Sequence, residues 1–177
     1  MVTNVNHLRR LFTVAGILAG LSCGTATYAE AVVIPAAPQL AAEGYLLIDA
    51  KTGKTLVEFN AEQRLPPASL TKIMTSYVAA EELSRGVVSA EDEVDISVNA
   101  WRMEGSRMFI REGTKVKLND LLHGIIVQSG NDASVAVAEH IAGSEEAFAD
   151  VMNQYAAKLG MTNTNFMNAT GLPDENH

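Results

Sequence analysis

The period of the apolar pattern changes at Pro66–Pro67, and that change limits the folds open to this chain. Before the prolines, Tyr45-Leu46-Leu47-Ile48-Asp49 and Thr55-Leu56-Val57-Glu58-Phe59 read as two strands joined by a turn at Lys51-Thr52-Gly53-Lys54. Apolar residues fall on both faces of the first strand, so it is expected to be covered on both sides. After the prolines the spacing is helical. Leu70, Ile73, Met74, Tyr77 and Val78 form one i, i+3, i+4, i+7, i+8 stripe, and Leu118, Leu121, Leu122, Ile125 and Ile126 form another. Two further helices are expected, over Ala133 to Ile141 and from a cap at Ser144 through Phe148, Val151, Met152, Tyr155 and Leu159 to Gly160. A strand pair followed mainly by helices implies an α+β layering. Val94 to Ile96 and Met108 to Ile110 are weaker strand or loop candidates, and Arg111-Glu112-Gly113-Thr114 is a turn.

The prolines also mark a site. Proline at a helix start loses no intrahelical hydrogen bond and already has a helical φ. Just beyond them, Ser69-Leu70-Thr71-Lys72 sets a hydroxyl and an amine three residues apart, off the apolar stripe and on a shared face. A lysine in that place can take the serine's proton, provided it is neutral. To act near pH 7 its pKa must fall about three units from ~10.4, some 4 kcal/mol of bias against the charged form. A helix N-terminus supplies only about 0.3–1 kcal/mol. Burial and a neighbouring cation must supply the rest.

A second motif, Ser129-Gly130-Asn131, closes the next amphipathic segment. Asn119 and Asp120 suit that segment's first turn, Gly130 is expected to stop it, and Asn131-Asp132 to cap the helix that follows.

Residues 1–29 read as a signal peptide: Arg9 and Arg10 are a basic start, Leu11 to Ser22 an apolar run, and Thr27-Tyr28-Ala29 or Ala29-Glu30-Ala31 a small-residue cleavage site. The run is too short to span a bilayer. Residues 30–43, rich in alanine and proline, form an extended leader, and 44–177 a single domain. Export places the protein in the periplasm or at the outer face of the cytoplasmic membrane. The only cysteine, Cys23, lies inside the signal segment, so the mature chain has no disulfide, thiol chemistry or cysteine-bound zinc. Net charge goes from −8 to −10 on losing Arg9 and Arg10, which argues against nucleic acid as a partner. His7, His123, His140 and His177 are scattered without ligand spacing, so neither a metal nor another cofactor is expected. His123 and His140 read as helix-surface residues.

Serine-x-x-lysine followed by serine-x-asparagine is a signature of penicillin-binding proteins and class A β-lactamases. The flanking residues narrow it. Pro67-Ala68-Ser69-Leu70-Thr71-Lys72-Ile73-Met74-Thr75, Gln128-Ser129-Gly130-Asn131-Asp132-Ala133 and Leu159-Gly160-Met161-Thr162-Asn163-Thr164 closely resemble the serine D-alanyl-D-alanine carboxypeptidases, the low-molecular-mass penicillin-binding proteins of bacterial cell walls. The resemblance runs from about Gly44 to His177. It implies a β-lactamase/DD-peptidase-like fold, an antiparallel sheet flanked by helices, of which this chain would hold the N-terminal half with one hairpin and a helical cluster.

The implied reaction is removal of the terminal D-alanine from peptidoglycan stem peptides ending in D-Ala-D-Ala, in cell wall biosynthesis and cell shape regulation. By the same resemblance Ser69 is the nucleophile, Lys72 its base, Ser129 a proton relay to the departing nitrogen, and Asn131 the holder of the substrate amide. The backbone N–H of Ser69 supplies half of an oxyanion hole, and β-lactams acylate the same serine.

Two sequence matches are decoys. The only lysine-threonine-glycine, Lys51-Thr52-Gly53, precedes the nucleophile, whereas the family's triplet lies on a strand well after serine-x-asparagine, so it reads as a turn. Ser97-Val98-Asn99 follows Ser69 too closely and falls in a strand-like stretch. The family's third motif, its remaining strands and its C-terminal membrane-binding segment are not in these residues, and one alternative is an inactive remnant. The other is a class A β-lactamase. That family carries aspartate where Gly130 stands and needs a glutamate that Asn163 to Asn168 lacks.

Overall fold

The computed structural model describes residues 36–177. The expected signal peptide therefore lies outside the described residues, as does the start of the leader. What is described falls into two compact units divided after Ala61.

The first unit holds an antiparallel ribbon. Strand β1 (Tyr45–Ile48) pairs with β2 (Thr55–Phe59) in the register Tyr45↔Phe59, Leu46↔Glu58, Leu47↔Val57, with an irregularity before Ile48↔Thr55. The turn is built by Asp49. Its Oδ1 accepts the Lys51 and Thr52 N–H groups at 3.2 and 2.8 Å and the Thr52 hydroxyl at 2.7 Å, and Gly53 takes φ +70°. Lys51-Thr52-Gly53 is thus a turn, as its position in the sequence implied. The expectation of cover on both faces of β1 does not hold, since Leu46, Leu47 and Ile48 are 50–55% exposed. A two-stranded ribbon offers each face only its own cross-strand neighbours, such as the Tyr45 and Phe59 rings 5.6 Å apart.

In the second unit a 3₁₀ turn over Ala68–Leu70 leads into α1 (Thr71–Ser84). Strand β3 (Glu93–Asp95) and α2 (Val98–Arg102) follow, then β4 (Lys115–Lys117), α3 (Leu118–Gln128), α4 (Asn131–Ala142) and α5 (Glu145–Lys158). Helix α4 is the centre of the unit. Ala133, Val135, Ala136, Val137 and Ala138 are all fully buried, and so are the polar Asp132 and Ser134. A helix covered on nearly every side needs short side chains, and this one has alanine, valine and serine there. On one side of α4 lie Val94, Ile96, Ala100, Leu118, Leu121 and Ile125; around Ala138 lie Met74, Val78, Phe148, Met152, Tyr155 and Phe166. Each large side chain so buried contributes about 1.5–3 kcal/mol.

Four local expectations are corrected by the structure. The buried face of α1 keeps only part of the apolar stripe: Met74 and Val78 face inward beside Thr71, Lys72, Thr75 and Ala79, while Leu70 and Ile73 are each 69% exposed. Polar groups with buried partners took much of the inner face, so hydropathy alone misplaced it in part. Ser97-Val98-Asn99 starts a helix and is no strand; the Ser97 hydroxyl accepts the Ala100 N–H at 2.9 Å as an N-cap.

Ser129, not Gly130, closes α3 in the left-handed region with φ +53°, and Asn131 and Asp132 lie within the first turn of α4 without capping it from outside. The packing at Gly130 is tight: a Cβ there would stand 3.0 Å from Asp132 Oδ1 and 3.3 Å from the Gly124 carbonyl. Finally, the single expected hairpin is joined by a second antiparallel pair, β3 with β4, in the register Glu93↔Lys117, Val94↔Val116, Asp95↔Lys115. Lys115-Val116-Lys117 is too short and charged to announce itself as a strand. Met108–Ile110 is loop, with Phe109 at φ +63°.

Candidate active site

Ser69 stands in the 3₁₀ turn that Pro67 opens with φ −72° and ψ −20°. The residue between them, Ala68, is held at φ +47°, where a side chain costs about 1–3 kcal/mol unless its surroundings enforce it. Gly171 packs directly on it. A Cβ at Gly171 would lie 1.8 Å from the Ala68 carbonyl oxygen and 2.8 Å from Thr71 Oγ1. Only glycine allows this approach, and its φ of +81° is likewise one that glycine tolerates.

Lys72 is 5% exposed, on the inward face of the first turn of α1. Its Nζ donates to Ser69 Oγ at 3.3 Å and to the Thr170 carbonyl at 2.7 Å. Among the described residues it forms no ion pair. Burial pushes the ammonium below the ordinary lysine range. The Thr170 carbonyl favours the charged form, so it orients the amine more than it neutralises it.

That carbonyl is itself fixed. Asn168 Oδ1 accepts the N–H groups of Thr170 and Gly171 at 3.1 and 2.7 Å and the Thr170 hydroxyl at 3.0 Å. Upstream, the Ala169 carbonyl accepts the Thr75 hydroxyl at 2.8 Å, and the Ala169 N–H donates to Glu145 Oε1 at 3.0 Å. His177 Nδ1 accepts the Met167 N–H at 3.0 Å, which leaves Nε2–H to donate to Thr71 Oγ1 at 2.7 Å.

Ser69, Lys72 and Ser129 line one cleft of about 390 Å³ with Ile73, Ser76, Ile125 and Ile126. Asn131 does not line it. The Asn131 side chain is 6% exposed, its Nδ2 donates to the Glu104 carbonyl at 2.7 Å, and its backbone N–H donates to the Ser106 carbonyl at 2.7 Å. So the structure brings together three of the four expected residues, with the fourth two residues beyond Ser129 at the start of α4. A hydroxyl hydrogen-bonded to a lysine whose pKa burial lowers has the chemistry of a nucleophile beside a base, and a second hydroxyl on the same cleft has that of a proton relay. Lys51 belongs to the turn of the first unit, and Ser97 is spent on its helix cap. His123 is exposed and its Nδ1 meets the Asn119 carbonyl, while His140 meets Asp92 Oδ2 at 3.2 Å. Among the described residues no group of three His, Cys, Asp or Glu is placed to hold a metal.

Residues 31–177 match the profile of the peptidase S11 family, described as D-alanyl-D-alanine carboxypeptidase. The chain belongs to this family. It is 43% identical over 173 residues to D-alanyl-D-alanine carboxypeptidase DacC of Escherichia coli, covering 89% of this chain and 43% of DacC. Over 136 residues it is 46% identical to DacF of Bacillus subtilis, covering 77% and 35%.

Among solved structures, D-alanyl-D-alanine carboxypeptidase DacD from Francisella tularensis matches with a TM-score of 0.78 at 44% identity over 82% of this chain and 35% of that one. Penicillin binding protein 5 from Haemophilus influenzae gives 0.78 at 44% over 81% and 42%. Penicillin-binding protein D2 from Listeria monocytogenes, solved in its ampicillin-bound form, gives 0.69 at 28% over 79% and 57%. The chain thus spans about two fifths of the length of the curated relatives it matches, and over that span it has the penicillin-binding-protein fold. The carboxypeptidase likeness prevails over class A β-lactamase.

Sequence reasoning missed the residues that hold the pair in place. Asn168, Thr170 and Gly171 carry the Lys72 partner, yet only the turn character from Gly171 onward was legible. An asparagine three residues before a glycine was the available signal.

Proposed function

We propose that this protein is a serine-type D-Ala-D-Ala carboxypeptidase that acts on peptidoglycan stem peptides outside the cytoplasm, in wall biosynthesis and the control of cell shape. The observation that carries the proposal is the buried Lys72 amine, 3.3 Å from Ser69 Oγ at the floor of a cleft that Ser129 also lines. Neutral Lys72 takes the Ser69 proton as Oγ attacks the carbonyl of the D-Ala-D-Ala bond. The N–H of Ser69 faces the developing oxyanion. Ser129 passes a proton to the departing D-alanine nitrogen, Asn131 holds the substrate amide, and water then hydrolyses the Ser69 ester.

The same serine is acylated by β-lactams, a reading supported by the ampicillin-bound relative. Export through residues 1–29 and membrane association through a C-terminal segment belong to the same proposal, the first from the sequence and the second from family resemblance. The test is release of free D-alanine from diacetyl-L-lysyl-D-alanyl-D-alanine by the full-length gene product. Release is expected from the wild type and not from Ser69→Ala; equal release from both would refute the assignment.

A further inference from the structure

Asp132 has no part in the reaction just described, yet it is the most heavily bonded buried acid of the second unit. It is fully buried. Its Oδ1 accepts the N–H groups of Met108 and Ala133 at 3.0 and 2.9 Å, and its Oδ2 those of Phe109 and Ile110 at 2.8 and 3.2 Å. An acidic residue in the first turn of a helix ordinarily serves its own helix, and the Ala133 bond does that. The other three go elsewhere, to consecutive amides of a loop with no regular structure of its own. Phe109, at φ +63° and 72% exposed, is held there by that carboxylate and by the Arg107 guanidinium 4.9 Å from its ring centroid.

The neighbouring residue grips the other end of the same loop. Asn131 donates its side-chain amide to the Glu104 carbonyl and its backbone N–H to the Ser106 carbonyl, both at 2.7 Å. Gly105, at φ +79°, leaves the room: a Cβ there would stand 2.9 Å from Asn131 Nδ2. Two adjacent residues at the start of α4 thus clamp the loop at 104–106 and at 108–110. The orientation of the Asn131 amide is set by loop carbonyls whose own position is set by Asp132.

We propose that Asp132 is a positioning residue for Asn131, fixing the loop over residues 104–110 and, through the Glu104 carbonyl, the orientation of the Asn131 carboxamide behind the cleft. This rests on the reading of Asn131 as the group that holds the substrate amide. Ser69 and Lys72, on other elements, are not part of the clamp.

The test is Asp132→Asn in the full-length protein. A carboxamide presents one acceptor oxygen, so in either orientation two of the four N–H donors meet an NH₂ group. The concentration of fluorescent penicillin giving half-maximal acylation is expected to rise about tenfold or more, since a displacement near 1 Å can cost about 10²-fold. The pH dependence of acylation should stay as in the wild type, and the Met108, Phe109 and Ile110 amides should exchange with deuterium faster. Faster exchange with unchanged acylation would overturn the proposal.

Should Asp132→Asn fail to fold, Gly105→Ala displaces Asn131 from the opposite side; the same rise supports the clamp and wild-type behaviour overturns it. If the wild type takes up no penicillin, the proposed function has failed but the clamp can still be decided. The Asn131 side-chain amide resonance must then shift in Asp132→Asn, and an unmoved resonance would refute the clamp.

Discussion

Replacing Gly171 by alanine adds one methyl group to the turn behind the nucleophile, and its cost can be worked from the structure. The added Cβ would sit 1.8 Å from the Ala68 carbonyl oxygen and 2.4 Å from its carbon, both backbone atoms with no rotamer to give way. Real Cβ atoms essentially never approach other heavy atoms closer than 3.0 Å, so the Ala68–Ser69 backbone and the Thr170–Gly171 peptide must separate by about 1.2 Å. Ser69 Oγ and the Thr170 carbonyl are the two partners of Lys72 Nζ, so this parting pulls on both ends of the dyad.

Overpacking of this kind costs about 1–3 kcal/mol. The left-handed φ adds about 1–2 kcal/mol for a residue with a Cβ. For a chain of this size the sum lowers the melting temperature by on the order of 10 °C. Misplacing a nucleophile by about 1 Å costs about 10²-fold in rate. Gly171→Ala should therefore fold, melt lower, and take up fluorescent penicillin at roughly a hundredth of the wild-type rate or less. Acylation within about twofold of wild type, with an unchanged melting temperature, would refute the argument that Gly171 seats the nucleophile turn.

Lys72→Met keeps the length of the side chain and removes the buried amine. Acylation should fall about 10²- to 10⁴-fold, while stability at neutral pH should hold or rise, read as penicillin uptake and thermal melting. Burial lowers the folded pKa of Lys72 below 10.5, so the unfolded chain binds the extra proton in the window between the two values, and stability rises with pH there. That rise should be absent from Lys72→Met. For His177, desolvation likewise lowers the folded value from 6.5, so stability should be lost as the pH falls through 6.5. In melting curves taken from pH 8 to 5 this loss should be smaller in His177→Ala.

The elements that form by local pattern alone were legible before any coordinates. The ribbon at 45–59 and the helices over 118–128, 131–142 and 145–158 followed from apolar period and from signals such as the Ser144 cap, whose Oγ accepts the Ala147 N–H. The inner face of α1 was legible only in part. Its inner face carries Thr71, Lys72 and Thr75, each bonded to the segment around residues 167–177 or to Ser69, and such long-range partners leave no periodic trace. Ser69, Lys72 and Ser129 could be named because their chemistry demands those residue types. Asp132 could not, since what it holds is backbone, and a carboxylate bonded to main-chain amides leaves no partner residue to recognise.

The central claim is that burial of Lys72 arms Ser69 and no other hydroxyl on the cleft. Peptide mapping by mass spectrometry after brief exposure to penicillin tests it most directly, because Ser69, Ser76 and Ser129 share that cleft. A single penicilloyl adduct on the peptide containing Ser69, absent from Ser69→Ala and from Lys72→Met, is the expected result. An adduct on Ser76 or Ser129, or one on Ser69 that forms equally fast without the Lys72 amine, would contradict it.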